Sequence, residues 1–349
     1  PNIGPMDAFM LVQLKGNEGH ETTFDLVQSL RARLNRDFPQ VEFAFDTGGM
    51  MTAALNMGEP SPIHFQVTGS QLDTAQDIAR LIKREAAQVP GAVDVRIAQR
   101  MDYPILDVTI DRALATQQGV TVENVMKNLV SATNSSINFE PAFWIDKRNG
   151  NHYFMGVQYR EEDINSLDTL RNIPVTGEHS EGTVPLRNVA QISTSTGPAV
   201  INHRNITRAT DIFVNVEPGY DTGSVVRAIE ERLAACEELG TSARGTGSAR
   251  VFEINGEAFA GKGYLLEMQG EVRTMLESFE QFSSGLLIAA LLVYLVLVAQ
   301  FKSFVDPIPI MLTVPLSFIG VFVLLALTGT NLSIMTFMGL IMTVGIVVE

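Results

Sequence analysis

The sequence predicts an α+β fold of repeated βαβ units, packed as split βαβ sandwiches, with a β-rich insertion and a run of transmembrane α-helices at the end. Three observations predict it. Apolar residues recur with strand and helix periods in alternation over the first three quarters of the chain. The stretch Asn134–Asn202 interrupts that rhythm and is rich in Asn, Gly, Ser and Thr. Between Gly285 and Glu349 the only charged side chains are Lys302, Asp306 and Glu349.

The elements follow in order. Ala8–Leu14 (AFMLVQL) reads as a strand. Phe24, Leu26, Val27, Leu30, Leu34 and Phe38 fall largely on one face of a helix over 22–38. Gln40–Phe45 (QVEFAF) alternates as a strand and closes at Asp46-Thr-Gly-Gly, which completes one βαβ unit. A second unit opens at Ile63–Thr68; its helix spans Leu72–Gln88 and is stopped by Pro90-Gly91. Strands are predicted at Asp94–Arg100 and Ile105–Ile110, and short helices at Asp111–Gln118 and, behind Thr121, at Val122–Ser131. The insertion holds strands at His152–Gln158 and around Gln191, and a short helix over Asp163–Asn172. The third unit is strand Thr210–Val216, helix Thr222–Glu238 and strand Arg250–Asn255. Gly256–Phe282 is predicted as a helix leading into the membrane.

Three apolar runs then succeed one another, at about 282–304, 307–328 and 332–349. A bilayer core needs roughly 20 apolar residues as a helix, and in lipid each backbone group must be satisfied within its own segment. The loop after the first run carries Lys302 and the next loop no Lys or Arg, which puts the first loop inside and the large preceding domain outside. In a Gram-negative cell the outside is the periplasm. The chain begins with Pro1 and ends inside an apolar run, so a piece of a longer membrane protein is expected.

The formal net charge is −14, which argues against nucleic acid as a partner. Cys236 is the single cysteine, so no intrachain disulfide framework is expected. His20, His64, His152, His179 and His203 have no metal-ligand spacing, and no nucleophile signature is present, so neither a zinc site nor hydrolysis is expected. Gly256–Gly263 nearly matches a phosphate-binding loop but carries Gly263 where the magnesium-holding hydroxyl belongs; it reads as a flexible connection. Met50, Met51 and Met57 form either a soft-metal site or an adaptable apolar surface, and with no Cys or His beside them the second is the better reading. Phe43, Phe45, Ile63 and Phe65 alternate on strands; most of them are expected in the core and a minority at a cleft for apolar ligands. Glu349 ends an uncharged membrane run, where an ionisable group is by default a proton- or ion-pathway candidate.

Several stretches resemble the resistance–nodulation–cell division (RND) superfamily of efflux permeases, the AcrB-like family. FKSFVDPIPIMLTVPLSFIGVF (Phe301–Phe322) is similar to a segment joining two membrane helices in the carboxy-terminal half of these permeases. LSIMTFMGLIMTVGIVVE (Leu332–Glu349) resembles their next helix, PILDVTIDRALATQQGVTVENV (Pro104–Val125) their porter-domain motif, and VPLRNVAQI (Val184–Ile192) the end of the docking insertion. The resemblance implies a layout: a partial porter subdomain over 1–66, a second over 67–117 and 211–258, a docking-like insertion over 118–210, and a connecting helix with membrane helices over 259–349. It also implies a proton-driven secondary transporter rather than an enzyme, with no cofactor beyond the proton gradient. The expected partners are a homotrimer, a periplasmic adaptor protein, an outer-membrane channel and the lipid bilayer, and the expected place is the inner membrane. Hydrophobic or amphiphilic compounds are the expected cargo, with Phe43, Phe45, Met57 and Phe65 as cleft candidates. In drug-exporting members a lysine stands where this chain has Glu349, so the membrane charge network would be wired differently here. In copper and silver exporters a cleft methionine precedes a Pro-Ile by eight residues. Here that position, before Pro62-Ile63, is Ala54. A heavy-metal exporter and a non-transporting assembly or sensor protein of related fold are the alternatives.

Overall fold

The computed structural model describes residues 7–14, 22–46, 60–177, 180, 182–245, 250–329 and 334–348. Two compact units emerge, one of Pro1–Arg100 with Val200–Glu349 and the other of Met101–Ala199. The first half of the larger unit contains helix α1 (Thr23–Asp37), strand β1 (Ile63–Gly69), helix α2 (Leu72–Ala86) and strand β2 (Ala92–Ile97). Helix α1 starts where the Thr22 side chain accepts from the Asp25 N–H. Helix α2 buries Ala75, Ile78, Ala79, Ile82 and Ala86 on one stripe, with Asp73 in its first turn and Lys83 and Arg84 in its last, the signs that suit its dipole.

The smaller unit runs from β3 (Tyr103–Ile110) through α3 (Arg112–Gln117), α4 (Val122–Thr133), β4 (Ala142–Ile145), β5 (His152–Met155), α5 (Leu167–Arg171), β6 (Pro174–Val175) and β7 (Val184–Pro185) to β8 (Ala190–Gly197). Asp111 caps α3, and Thr121 with Asn124 forms a capping box on α4. Strands β3 and β8 pair antiparallel from Tyr103↔Gly197 to Ile110↔Ala190. Val125, Ile173, Val175, Leu186 and Val189 form the unit's own core. The ribbon β4–β5 stands apart from that core: Phe143, Trp144, Tyr153 and Phe154 are all exposed.

The chain returns to the larger unit through β9 (Asn202–Arg204), β10 (Thr207–Val216), α6 (Thr222–Ala235), β11 (Thr241–Arg244), β12 (Val251–Ile254) and β13 (Tyr264–Gln269). The sheet order is β11-β12-β13-β1-β10-β2, with β9 paired to β10 and every neighbour antiparallel. Strands β1 and β2 are therefore parallel with β10 between them, and β10 and β13 are parallel with β1 between them. That is the double split βαβ, ferredoxin-like arrangement. Helices α2 and α6 pack on one face, against Ile63, Phe65 and Val67 of β1 and Ile212 and Val214 of β10.

Strand β13 continues directly into α7 (Gly270–Phe301), followed by α8 (Pro307–Met311), α9 (Thr313–Thr328) and α10 (Ile334–Val348). By length and composition, Gly270–Phe301 and Pro307–Thr328 are each able to cross a membrane. Only 6% of each apolar window is buried within the chain, unlike the core helix of a soluble protein. Helices α7 and α10 meet through Phe279 and Phe337, whose ring centroids are 5.3 Å apart.

Three expectations need correction. Ala8–Leu14 forms no strand: it pairs with nothing among the described residues, and Phe9, Met10 and Leu11 are exposed. Gln40–Phe45 forms none either, because the Phe45 backbone bonds to side chains instead of a ladder. The first βαβ unit is thus represented only by its helix. Gly256–Phe282 is not one helix: a turn precedes β13, and the helix starts at Gly270. Tyr264, Leu266 and Met268 are buried in alternation with less buried neighbours, a strand period that the glycines around it obscured. The strand that completes the second split unit beside β1 is β13, and β12 lies one place further out. Gly256 itself serves packing, since a Cβ there would stand 1.9 Å from the Glu238 carbonyl oxygen.

Candidate functional site

All seven residues of β1 are buried, yet they alternate in chemistry. Ile63, Phe65 and Val67 enter the apolar core beneath the helices. His64, Gln66 and Thr68 lie on the other face, where β10 supplies Asp211, Phe213 and Asn215. Asp211 is the centre of this polar layer. One carboxylate oxygen, Oδ1, accepts from Gln66 Nε2 at 2.7 Å and faces His64 Nε2 at 3.0 Å. The other, Oδ2, accepts from Gln99 Nε2 at 2.6 Å and from Asn202 Nδ2 at 2.9 Å. The Asp211 backbone N–H donates in turn to Gln99 Oε1 at 2.8 Å. Burial alone would push the Asp211 carboxyl up. The hydrogen bonds from His64, Gln66 and Asn202 outweigh it and hold the group well below the usual carboxylate range. Arg204 extends the layer, donating to Gln66 Oε1 at 2.8 Å and pairing with Glu267 at 3.2 Å.

A second carboxylate, Asp94, anchors the neighbouring patch. The β10–β2 register shifts between Phe213 and Asn215, and Asp94 takes φ +50°, a left-handed conformation that Asp tolerates better than most residues. Its side chain is 2% exposed. Arg31 of α1 grips it bidentately, Nε to Oδ1 at 2.7 Å and Nη2 to Oδ2 at 2.9 Å. Asn215 Nδ2 and the Phe45 N–H donate to the same Oδ2 at 3.0 and 3.2 Å. The Arg31 guanidinium also lies 5.3 Å from the centroid of the Phe45 ring. Arg96 sits 5.4 Å over the Phe213 ring, and burial lowers its pKa against the pull of Asp94, Glu42 and Asp46.

The cleft candidates separate in the structure. Phe45 joins the Asp94 patch, and Phe43 is half-buried with its ring edge toward Phe38, 6.5 Å between centroids. Phe65 has 0% exposure in the core beneath the helices, so it presents no surface to a ligand. Met57 and Glu349 lie outside the described residues, as do Met50, Met51 and Ala54. Among the described residues no cluster of three or more His, Cys, Asp or Glu side chains could hold a metal. Sequence reasoning missed Arg31, Asp94, Gln99 and Asp211. A signal existed: polar residues of like parity on two predicted strands, His64 with Gln66 and Asp211 with Asn215, mark a polar layer on one face.

The larger unit thus joins an α+β sheet, through its interior strand β13, to helices able to cross a membrane. The AcrB/AcrD/AcrF family matches residues 2–349. The chain is 24% identical over 293 residues to multidrug resistance protein MdtC of Proteus mirabilis, covering 81% of this chain and 25% of that protein. It is 25% identical over 298 residues to the cation efflux system protein CusA of Escherichia coli, covering 84% of this chain and 26% of that protein. The chain therefore spans about a quarter of the length of these relatives. Its fold is similar to that of a heavy metal efflux pump crystal structure, with a TM-score of 0.73 and 20% identity over 95% of this chain and 31% of the pump. The chain belongs to the AcrB/AcrD/AcrF family, the RND permeases. Members of this family are inner-membrane transporters, not enzymes.

Proposed function

We propose that this chain is part of an inner-membrane permease that uses the proton gradient to export hydrophobic or amphiphilic compounds by alternating access. The observation that carries the reading is the family match across the whole chain. In this reading the sheet unit is a porter subdomain and segment 22–46 belongs to its neighbour. The insertion is a docking element, and 282–304, 307–328 and 332–349 are membrane helices of a multi-pass protein with its large domain in the periplasm. Phe43 and Phe45 stand at the cleft. The cargo preference rests on the aromatic and cationic character around Phe45 and on Ala54 at the position of the metal exporters' methionine.

Partners follow in the same reading: two further copies forming a homotrimer, a periplasmic adaptor and an outer-membrane channel. The ribbon β4–β5 suits a protomer contact, because it carries aromatic pairs on both faces, Phe143 with Phe154 and Trp144 with Tyr153. Glu349 takes a place in the membrane charge network that a lysine fills in drug exporters. Its replacement by Gln in the full-length protein lowers proton-coupled efflux and leaves insertion and assembly intact; unchanged efflux removes Glu349 from the network.

A second reading, export of a soft heavy-metal cation, is supported by the likeness to CusA and to the heavy metal pump fold. The test is expression of the full-length gene in cells stripped of their own efflux pumps. Reduced accumulation of the amphiphilic dye Nile red is expected. Protection against copper or silver alone overturns the choice of cargo. A non-transporting assembly or sensor role predicts neither effect.

A further inference from the structure

We propose that the Ile206 side chain, at the tip of the β9–β10 hairpin, is a contact knob that seats in an apolar, acid-rimmed socket on a second copy of this chain. The inference rests on the homotrimer reading above and deepens it by naming one side of the contact between copies.

The tip is built against local preference. Arg204 and Thr207 pair across a two-residue turn, with Asn205 at φ +47° and Ile206 at φ +75°. Two positive φ values are the pattern of a type I′ turn, which favours Asn followed by Gly. Asn205 fits that pattern. Ile206 does not: its branched Cβ is crowded by a left-handed backbone, and glycine at this place would carry no such strain. Burial within the chain does not offset the cost, because Ile206 is 96% exposed, more than any other large apolar residue described. Val200 and Ile201, where the chain enters the hairpin, are exposed as well. A strained apolar side chain held out in water calls for a contact outside its own chain.

The knob stands on a stiff stalk. Asn202 Nδ2 donates to Asp211 at 2.9 Å. Arg204 donates to Gln66 Oε1 at 2.8 Å and pairs with Glu267 at 3.2 Å. Strand β9 is thus fastened to β10, β1 and β13, and its tip has little freedom to lose on docking.

Place and charge select the occupant. Strand β10 runs parallel to β13, so the hairpin lies at the end of the sheet opposite Gly270, about 20 Å from the start of α7. That distance sets lipid aside. Residues 202–210 include His203, Arg204 and Arg208 and no acidic side chain. Arg208 is exposed and donates to the Ser70 carbonyl at 2.8 Å, a neutral acceptor. Such a tip suits an acidic surface, and a second copy offers one: the chain has 39 Asp and Glu against 25 Lys and Arg, a net charge of −14. In a three-fold ring each contact joins two different patches, so the socket lies on the neighbour's surface away from its own Ile206.

Purified full-length protein carrying the photo-cross-linking residue p-benzoylphenylalanine in place of Ile206 tests the contact, because further copies are then the only protein present. Irradiation is expected to give species of two and three times the protomer mass. Native mass measurement then compares two variants at equal concentration. Ile206→Val keeps a branched knob and is expected to assemble as the wild type does. Ile206→Gly is expected to cut the assembled fraction at least fivefold. At dilutions where both are single protomers, its hairpin amides should exchange hydrogen several-fold more slowly than those of the wild type, because the turn is relaxed. Wild-type assembly of Ile206→Gly, or irradiation that joins no copies, overturns the contact. Lost assembly together with faster exchange in Ile206→Gly means a structural role and overturns it too. If the wild type is trimeric and neither the cross-link nor Ile206→Gly shows an effect, the contact fails and the trimer reading stands. If residue 206 cross-links closed pairs and no trimer forms, the trimer reading fails and the contact stands. A wild type that stays monomeric overturns both.

Discussion

The two faces of β1 make an instructive pair. Both are fully enclosed, both belong to seven consecutive buried residues, and each neighbour in the register is the same strand. On one face Ile63, Phe65 and Val67 meet helices through shape alone. On the other, His64 and Gln66 meet a carboxylate through directed hydrogen bonds. An apolar face tolerates small slips at a modest cost in packing. A polar face does not, because a displaced donor or acceptor loses both its partner and its water. The helix face thus supplies cohesion, and the opposite face fixes which strand stands beside which.

Four substitutions break or sharpen that contrast, in falling order of expected effect. Phe65→Ala opens a cavity in the helix face and should cost about 4 kcal/mol in chemical unfolding of the sheet unit. Asp211→Ala strands the donors of Gln66, Gln99 and Asn202 and should cost about 3 kcal/mol. A cost near zero for Asp211→Ala would mean that the polar face merely fills space, and the contrast would collapse. Its pH dependence has a definite sign. The folded pKa lies below the ordinary 3.8, so the contribution of Asp211 is complete above that value and is lost as the pH falls below it. Acid titration of unfolding should show this loss in the wild type and not in Asp211→Asn. Gln99→Ala removes both bonds to residue 211 and should cost about 2 kcal/mol, with faster amide exchange at Asp211 as its local mark. The smallest effect is expected from Thr121→Ala, which removes the cap of α4 in the other compact unit and costs about 1 kcal/mol. Exchange rates along β1 should not respond to it; if they do, the two units are not thermodynamically separate.

Much of this architecture is legible in the sequence, and the exceptions share a physical cause. Helices α2 and α6 declared themselves through apolar spacing, and β1 and β10 through β-branched and aromatic runs, because those signals are local. Strand β13 was hidden because a glycine-rich turn and a long helix flank its six residues, and the helix period overran it. Gln40–Phe45 carries a strand pattern and makes no ladder among the described residues: alternation marks what could pair, and pairing needs a partner strand. The Asp94 patch could not be read at all. It depends on a shifted register and on α1 and β2 meeting across 63 positions of sequence, and neither residue is unusual for its neighbourhood. Phe65 is a cleft candidate by its alternation and lies in the core beneath the helices, because alternation gives the parity of a strand and does not say which parity meets the helices.

Strand β13 passes into α7 without a linker, the turn between them being made at Gly270 with φ +68°. The 32 residues of α7 amount to a rod of about 48 Å. Its near end is welded to a strand with neighbours on both sides, β12 and β1, so a tilt of the rod reaches the interior of the sheet rather than a loose edge. A sheet that moved as one plate would carry a small rotation of the rod to its rim, where β2 holds Asp94.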